Sequence, residues 1–503
     1  MRYFLQTIFA ATIVLFFIAN VGTVFAAEGD LVWTQVNNPS AISDAAGPIA
    51  VDASGIYVAG YDTIPGNYQW RIEKRSLSDG AVIWTKTSNP SSDTDYATAI
   101  AIDASGIYVA GYDYVSGRFF RWRIEKRSLS DGAVIWTKTN DPSASHDIAN
   151  AITIDASGIY VAGFDSILAN YQWRIEKRSL SDGAIIWTKT NNPSAGGDYA
   201  TAITVDASGI YVAGVDAIPG NNQWRIEKRS LSDGAVIWTQ TSNPSAQPEG
   251  VGAITVDASG IYVVGDDFTP GFGNSQWRIE KRSLSDGAVI WTQTSNPSAS
   301  YDGPGSIAIN AIGIYVAGFD SILANYQWRI EKHSLSDGAV IWTKTNNPSA
   351  SSDVPGGIAV DAIGIYVAGN DRASVNDQWR IEKRERASFI CAGPFAASWT
   401  DSTITANSTK IRKVHIDELR SAINTRRIDA GLTNYSWTDP TITANSTKIR
   451  KVHIDDLRTA ISQVYTTCGQ AAPSWTDPTI TANTTKIRKV HIDELRSAVS
   501  NAQ

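Results

Sequence analysis

Seven aspartates recur at one position of a repeated segment, and the carboxylate is a side chain that binds cations and polyhydroxyl ligands. They are Asp62, Asp113, Asp165, Asp216, Asp267, Asp320 and Asp371. An aspartate that returns in every copy also suits an Asx-type turn, because its carboxylate accepts hydrogen bonds from nearby backbone N–H groups. Both interpretations stay open, and the sequence favours the turn. Asp52 and its equivalents, which precede Ala-Ser-Gly, predict turns for the same reason.

Residues that differ between copies are better candidates for a functional site, since an acid and a base in one site need different environments. Such departures, among them Glu249, form no recognisable triad, metal cluster or isolated carboxylate pair. Aromatic and arginine side chains are instead typical of binding surfaces. We therefore predict no catalytic and no metal-ligating residue. The candidate ligand-binding residues are Arg118, Phe119, Phe120, Arg121, His146, Tyr301 and Arg372, although a lone His146 is also typical of an ordinary loop.

The repeat that carries these residues is written out seven times. Its Trp-Arg-Ile-Glu-Lys segment begins at Trp70, Trp122, Trp173, Trp224, Trp277, Trp328 and Trp379, so successive copies are 51 to 53 residues apart. Each copy predicts four short strands, as at residues 82–85, 98–102, 106–110 and 122–126, separated by Asn-Pro-Ser, Asp-Ala-Ser-Gly and Ser-Asp-Gly turn signals. The pattern predicts a mainly β fold, a seven-bladed β-propeller of four-stranded blades, with a linear β-solenoid as the alternative.

The two ends of the array predict how the ring closes. The segment at Leu31 matches the outermost strand of the other copies, and the last copy ends after Lys383 without such a strand. We expect the N-terminal strand to complete the last blade, which leaves no exposed end of the array. The tryptophans of the third and outermost strands are expected to wedge between neighbouring blades.

Comparison of the copies divides the disc into two faces. The Asp-Ala-Ser-Gly and Ser-Leu-Ser-Asp-Gly-Ala turns barely change, whereas the links after Asn-Pro-Ser and after the second strand vary. In a four-stranded blade the two varied links emerge on the same face. We expect binding on that face, because loops carry function on a rigid scaffold.

Two runs of the repeat resemble a known family. Residues 55–60, Gly-Ile-Tyr-Val-Ala-Gly, and residues 76–84, Ser-Leu-Ser-Asp-Gly-Ala-Val-Ile-Trp, are similar to the repeat of pyrroloquinoline-quinone-type (PQQ-like) propellers and to seven-bladed repeats of secreted bacterial proteins. The resemblance covers residues 31–384 and implies a propeller in which a turn docks a tryptophan between blades. Enzymes of that family carry an adjacent cysteine pair and a calcium site. Here both cysteines lie outside the repeats, so we expect no cofactor.

Residues 1–26 have the features of a secretory signal peptide, with Arg2, an apolar run over residues 8–19 and small residues before Ala27. An uncleaved membrane anchor is the alternative, although the run is shorter than the roughly 20 residues that a span needs. We expect a secreted, extracellular or cell-surface-associated monomer without a membrane span once the signal is removed. A net charge of −7 and the lack of a basic stripe in the repeats predict no nucleic-acid partner.

A second repeat follows the propeller. Ser-Trp-Thr-Asp begins at Ser398, Ser436 and Ser474, and each copy continues to Lys-Ile-Arg-Lys-Val-His-Ile-Asp. The apolar spacing after His415 predicts a helix with His415 as its N-cap and Glu418 three residues later. His415, His453 and His491 could bind a metal ion, but one histidine per module favours capping or packing. The predicted domains are a signal peptide (1–26), a propeller (28–386), a linker (387–397) and three modules (398–503).

The only cysteines, Cys391 and Cys468, are 77 residues apart. In an exported protein they are candidates for a disulfide bond. Taken together, the sequence predicts a secreted non-catalytic binding or adhesion protein whose propeller face recognises an extracellular polysaccharide or protein. The alternative is a secreted enzyme that acts on carbohydrate or another polymer.

Overall fold

The computed structural model describes residues 27–386 and 399–502, apart from residues 41, 65–66, 116–118, 144, 168–169, 219–220, 270, 272, 323–324, 373–375, 406–410, 431, 433, 444–447, 469 and 482–485. Seven four-stranded antiparallel sheets fill the first of these ranges, which confirms the seven-bladed β-propeller. The predicted signal peptide lies outside the described residues.

Each blade is a meander of four strands that runs from an inner to an outer strand. The inner strands are β2 (Ala45–Asp52), β6 (Tyr96–Asp103), β10 (Ile148–Asp155), β14 (Tyr199–Asp206), β18 (Val251–Asp257), β22 (Gly303–Asn310) and β26 (Val354–Val360). The second strands are β3 (Gly55–Ile64), β7 (Gly106–Val115), β11 (Gly158–Ile167), β15 (Gly209–Ile218), β19 (Gly260–Asp267), β23 (Gly313–Ile322) and β27 (Ile365–Asp371).

The third strands are β4 (Asn67–Arg75), β8 (Phe119–Arg127), β12 (Asn170–Arg178), β16 (Asn221–Arg229), β20 (Gln276–Arg282), β24 (Asn325–His333) and β28 (Gln378–Arg384). The outer strands are β5 (Val82–Ser88), β9 (Val134–Asn140), β13 (Ile185–Asn191), β17 (Val236–Ser242), β21 (Val289–Ser295), β25 (Val340–Asn346) and β1 (Leu31–Asn37). We number the blades 1 to 7 in the order of their inner strands. The inner strands of neighbouring blades contact each other around the whole ring, including β2 with β26.

The outer strand of blade 7 comes from the start of the chain, as predicted. Strand β1 pairs antiparallel with β28. The segment before β1 also replaces the last turn, because Arg384 Nη1 donates to the carbonyl oxygen of Gly29 at 3.1 Å. In blade 1 the equivalent bond runs from Arg75 to Gly80 at 3.0 Å. The ring is therefore closed by hydrogen bonds of the same kind that hold each blade together.

The third-strand tryptophans pack between blades, which confirms the sequence prediction. All seven are fully buried, and an arginine of the following blade lies over each indole, as Arg123 does over Trp70 at 5.5 Å from the ring centroid. The last blade joins the first in the same way, since Arg71 lies over Trp379 at 5.5 Å. Because a cation over an indole adds attraction to apolar burial, each interface combines both effects.

Three helices of the C-terminal region share one apolar core: α1 (Lys413–Asp429), α2 (Lys451–Thr467) and α3 (Lys489–Asn501). Arginines join successive modules, with Arg420 donating to the carbonyl oxygen of Asp439 at 2.8 Å and Arg458 to that of Asp477 at 2.7 Å. Arg496 returns to the first module, donating to the carbonyl oxygen of Asp401 at 2.7 Å. The three predicted helical modules thus form a small closed ring of their own.

Candidate binding face

The meander order of the blades sorts their connections onto two faces of the disc. In blade 1 the turns after β2 and after β4 lie at one end of the strands, and their sequences barely change between blades. We call this end the uniform face. The links after β3 and after β5 lie at the other end, which we call the varied face because their sequences differ. Turns of the uniform face include the predicted Asx turn, in which Asp52 Oδ1 accepts from the N–H of Ser54 at 2.7 Å.

The seven recurring aspartates lie at the ends of the second strands, and each is the ion-pair partner of an arginine. The Asx turn that the sequence favoured is wrong for all of them except Asp267 in blade 5. Asp62 Oδ2 contacts Arg71 at 2.9 Å, and Arg71 also contacts Glu73 at 2.5 Å. Glu73 in turn contacts Arg75 at 2.5 Å. These carboxylates are buried, with Glu73 fully inaccessible. The aspartate–arginine contact recurs in the other six blades, so these acids are engaged within the fold.

A second buried acid, which the sequence analysis did not single out, ties each varied link to its blade. Asp147 accepts from the hydroxyl of Ser143 at 2.7 Å and from the N–H of Ser166, on the second strand, at 3.2 Å. Burial raises the pKa of Asp147 to about 6. Equivalent residues in the other blades, except blade 5, are Asp44, Asp95, Asp198, Asp302 and Asp353.

Blade 5 departs from this arrangement. Glu249 takes the place of the second acid and accepts from the N–H of Ser245 at 2.8 Å. Its other oxygen is buried without a partner among the described residues, and burial raises the pKa of Glu249 to about 7. Asp266, where blade 6 has a phenylalanine, accepts from the N–H of Gly250 at 2.6 Å. Asp267 does form an Asx turn, with the N–H of Thr269 at 2.7 Å.

A row of aromatic rings crosses the varied face of blades 1 and 2. The ring centroids are 5.0 Å apart for Tyr68 and Tyr61, 4.7 Å for Tyr61 and Tyr96, 5.9 Å for Tyr96 and Tyr112, and 4.6 Å for Tyr112 and Phe120. All five side chains are partly exposed. Burial raises the pKa values of Tyr61 and Tyr112 to about 12, so their hydroxyl groups stay protonated and able to donate hydrogen bonds.

Four of the predicted binding residues lie at the end of this aromatic row. The ring of His146 is 4.9 Å from that of Phe120 and 5.7 Å from that of Phe119. Arg121 Nε donates to Asp113 at 2.6 Å. Phe119 is 38% exposed, which makes its ring available to a partner. Arg118 lies outside the described residues.

The two other predicted residues also lie on the varied face, but in different blades. The ring of Tyr301, in the link between blades 5 and 6, packs against Phe268 at 5.7 Å. Arg372, at the end of blade 7, pairs with Asp377 at 2.7 Å. The structure therefore brings Phe119, Phe120, Arg121 and His146 together, and no contact joins Tyr301 or Arg372 to them among the described residues.

An open pocket of about 490 Å³ lies on the same face where blades 3, 4 and 5 meet. The rings of Phe164, Tyr171 and Tyr199 form its wall, together with Asn150 and Thr201 of two inner strands. The centroid of Phe164 is 4.6 Å from that of Tyr171 and 6.4 Å from that of Tyr199. Val251 and Gly252 of β18 complete the lining.

Neither the aromatic row nor the pocket was predicted from the sequence. The comparison of copies considered the links, whereas most of these rings lie at strand ends. A comparison of the seven copies at matched strand positions reveals which blades carry an aromatic residue there. The residue before the recurring aspartate is Tyr61, Tyr112, Phe164, Val215, Asp266, Phe319 or Asn370 in blades 1 to 7.

The histidines of the C-terminal modules have structural roles. His415 is the third residue of α1, and the N-cap is Arg412, so the prediction of His415 as N-cap is wrong; Lys413 and Val414 form the first turn before it. His415 Nδ1 accepts from the N–H of Arg412 at 3.1 Å, and Nε2 lies 2.6 Å from Asp401. Both ring nitrogens are thus engaged, as they are in His453 and His491. Among the described residues, no cluster of three or more His, Cys, Asp or Glu side chains could hold a metal ion.

Cys468 is the C-cap of α2. Cys391 lies outside the described residues, so the bond between these two cysteines stays a prediction. In the part of the chain that the structure covers, no helix is long and apolar enough to cross a membrane.

Comparisons with known proteins assign no family to this chain. No family model and no curated protein matches the chain. Solved structures that resemble it include Chaetomium thermophilum Sqt1 bound to the N-terminus of ribosomal protein L10, with 12% identity, a TM-score of 0.42, and coverage of 71% of this chain and 100% of that one. Quinohemoprotein alcohol dehydrogenase from Comamonas testosteroni has 10% identity and a TM-score of 0.40, covering 90% and 80%. Kuenenia stuttgartiensis hydrazine synthase has 10% identity and a TM-score of 0.44, covering 69% and 95%. At these values the similarities carry no argument about function.

Proposed function

We propose that this chain is a secreted, non-catalytic binding protein whose varied face recognises an extracellular polysaccharide or protein. The observation that carries the proposal is the row of aromatic rings from Tyr68 to Phe120, which continues to His146 and the exposed Phe119. Aromatic side chains supply large contact areas with little loss of conformational entropy, and they are enriched where proteins bind partners. The row is long enough to contact an extended partner at several points.

The carboxyl groups of the varied face are held by ion pairs and hydrogen bonds within the fold, which supports binding over catalysis. The recurring aspartates are paired with arginines, and the second acids, with the exception of Glu249, are held by serine hydroxyls and backbone N–H groups. A glycoside hydrolase needs one carboxyl group that is free to protonate the leaving group and a second that is free to act as nucleophile or to activate water. Groups locked in buried ion pairs cannot do so without breaking the blade, because an unpaired buried charge is costly.

Retention on extracellular polysaccharide fractions tests the proposed function. The purified chain without residues 1–26 is compared with a variant in which Phe119→Asn, Phe120→Tyr and Arg121→Gln give blade 2 the residues of blades 1 and 3. We expect the original chain to be retained on at least one fraction and the variant to lose at least about fivefold in affinity. Asp131→Asn and Asp182→Asn, which change two exposed turns of the uniform face, form the control and should leave retention unchanged.

Three outcomes contradict the proposal. Equal retention of the original chain and the blade 2 variant would exclude the aromatic row as the contact. Recovery of shortened polymer would favour the enzyme alternative. Absence of retention on polysaccharide, together with absence of binding to extracellular protein fractions, would exclude a recognition role for the varied face. Secretion is tested separately, by sequencing the N-terminus of protein recovered from the medium, which we expect to begin at Ala27.

A further inference from the structure

We propose that the pocket between blades 3, 4 and 5 binds one uncharged pyranose unit of a glycan, a proposal that rests on the proposed function of the varied face. Its volume of about 490 Å³ lies within the range of about 300–1,000 Å³ that is usual for small-molecule sites. The pocket is open to solvent, so a sugar unit within a longer chain can enter it from the side.

The shape of the pocket suits a flat ligand that is apolar on its faces and polar at its edge. Phe164 and Tyr171 form one aromatic corner, with centroids 4.6 Å apart, and Tyr199 stands 6.4 Å from Phe164. The C–H groups of a pyranose ring pack against such surfaces, while its hydroxyl groups point outward. Tyrosine serves both needs because an apolar ring carries a polar tip.

Polar groups at the inner end of the pocket match sugar hydroxyls. Asn150 Nδ2 donates to the carbonyl oxygen of Ala200 at 2.8 Å, which fixes the amide and leaves its Oδ1 as an acceptor. The hydroxyl of Thr201 donates to the carbonyl oxygen of Ala213 at 3.3 Å and can accept a further hydrogen bond. Two fixed acceptors beside an aromatic wall favour a ligand that is rich in hydroxyl donors.

Charge favours a neutral sugar. None of the seven described residues that line the pocket carries a charged side chain. Asp266 lies nearby, because its carboxylate accepts from the N–H of Gly250, which precedes the lining residue Val251. Burial and then the charge of Asp266 raise the pKa of Tyr199. The pKa of Asp266 is itself raised to about 6 by burial, so this carboxyl is mostly ionised at neutral pH and would repel an acidic sugar.

The pocket exists because the aromatic pattern is interrupted at this place. In blades 1 and 2, Tyr96 lies between the rings of Tyr61 and Tyr112, at 4.7 and 5.9 Å, which fills the equivalent space. Tyr199 takes the position of Tyr96, but Val215 stands where Tyr112 would be. Next to it, Gly252 has to be glycine, because a Cβ there would lie 2.5 Å from the carbonyl oxygen of Pro304.

Two blades with the same local sequence supply a matched pair of variants. Residues 166–177 and 321–332 are identical, and Tyr326 packs on Phe319 at 4.7 Å as Tyr171 packs on Phe164 at 4.6 Å. Tyr171 lines the pocket and Tyr326 does not. Any loss of stability on replacement by alanine should therefore be similar, whereas loss of binding should be confined to Tyr171→Ala.

Titration calorimetry of the purified chain with cellohexaose, maltohexaose, mannohexaose and a polygalacturonate oligomer tests the proposal. We expect saturable binding of at least one neutral hexasaccharide, weakened at least about tenfold by Tyr171→Ala and by Tyr199→Ala and unchanged by Tyr326→Ala. Equal effects of Tyr171→Ala and Tyr326→Ala would overturn it, as would tighter binding of polygalacturonate. Binding of an aromatic peptide in place of all hexasaccharides would show a protein partner and also overturn it.

The test separates this inference from the proposed function. If polysaccharide retention is lost in the blade 2 variant but kept in Tyr171→Ala and Tyr199→Ala, the varied face binds polymer and the pocket proposal fails. If neither set of variants changes retention, both proposals fail. If both sets reduce it and Tyr326→Ala does not, the row and the pocket contact the same polymer.

Discussion

The indole Nε1 of Trp379 donates a hydrogen bond to the carbonyl oxygen of Tyr61 at 2.8 Å, joining the last blade to the first. Five other third-strand tryptophans make the same bond to the next blade, with acceptors Tyr112, Phe164, Val215, Phe319 and Asn370. The exception is Trp224, whose Nε1 is buried without a partner among the described residues. The interface between blades 4 and 5 therefore lacks one hydrogen bond that the other six contain.

Replacing Trp224 by phenylalanine should cost less stability than replacing Trp173. Both indoles are fully buried, but Trp173 donates to Val215 at 2.9 Å and Trp224 donates to no described residue. Loss of the hydrogen bond should make Trp173→Phe more destabilising by about 1 kcal/mol. Chemical denaturation of the two variants measures the difference. Equal losses would contradict this account of the interface.

Deletion of residues 28–36 should lower the thermal unfolding midpoint and promote aggregation. The deletion removes the strand that pairs with β28 and leaves the edge of that strand exposed. A synthetic peptide of residues 27–37, added in excess, should restore part of the lost stability because it can bind the open edge. An unchanged midpoint after deletion would refute the closure by β1.

The variant Glu249→Asp should stabilise the propeller at pH 8 and have little effect at pH 5. Aspartate stands at this position in the other six blades, where it bonds both the serine and the neighbouring strand. The folded pKa of Glu249 is raised to about 7 from 4.5, so its stability contribution falls as the pH rises from the lower to the higher value. Burial also raises the pKa of the equivalent Asp147, to about 6, so the expected gain at pH 8 is only about 1 kcal/mol and comes from the additional hydrogen bonds of the aspartate. A gain that is equal at both pH values in thermal unfolding would exclude this cause.

Acid should destabilise the C-terminal modules. Hydrogen bonds from His415 and Arg412 hold the pKa of Asp401 below its usual value of 3.8, and the pKa values of Asp439 and Asp477 are lowered in the same way. Because the folded pKa is depressed, this stabilisation is complete above the unfolded value and is lost as the pH falls through the folded one. Helical circular dichroism follows the change, since the helices of the described chain all lie in these modules.

Two variants test this acid response. Replacement of the three aspartates by asparagine should reduce stability at neutral pH and flatten the acid transition. Asp417→Asn, which breaks only a surface pair with Lys413, is the control. If the control flattened the transition as much as the triple variant, the aspartate–histidine pairs would not be responsible.

The fold could be predicted from the sequence, and the candidate site only in part. Strand and turn signals repeat within each copy, so the four-stranded blade can be predicted from local sequence. The last copy ends after Lys383 without an outer strand, and this too is visible in the local sequence. The partner of Asp62 was missed because Arg71 reaches it only through the register of β3 with β4. Tyr61 and Tyr96 meet only when two blades stack, and no single repeat contains that contact. The cluster around Phe119 was found because residues 119–121, at the start of β8, differ from their counterparts in the other copies.

The closure at Gly29 and Arg384 joins groups 355 residues apart. Strand β1 therefore leaves the ribosome long before its partner β28 is made. Blades 1 to 6 can each form soon after their own synthesis, because their strands are consecutive. Blade 7 must wait for β28, and contacts so distant in sequence form slowly. The pairing of β1 with β28 should therefore limit the rate of propeller folding. Until it forms, β1 is unpaired and can pair with a strand of another molecule, which leads to aggregation.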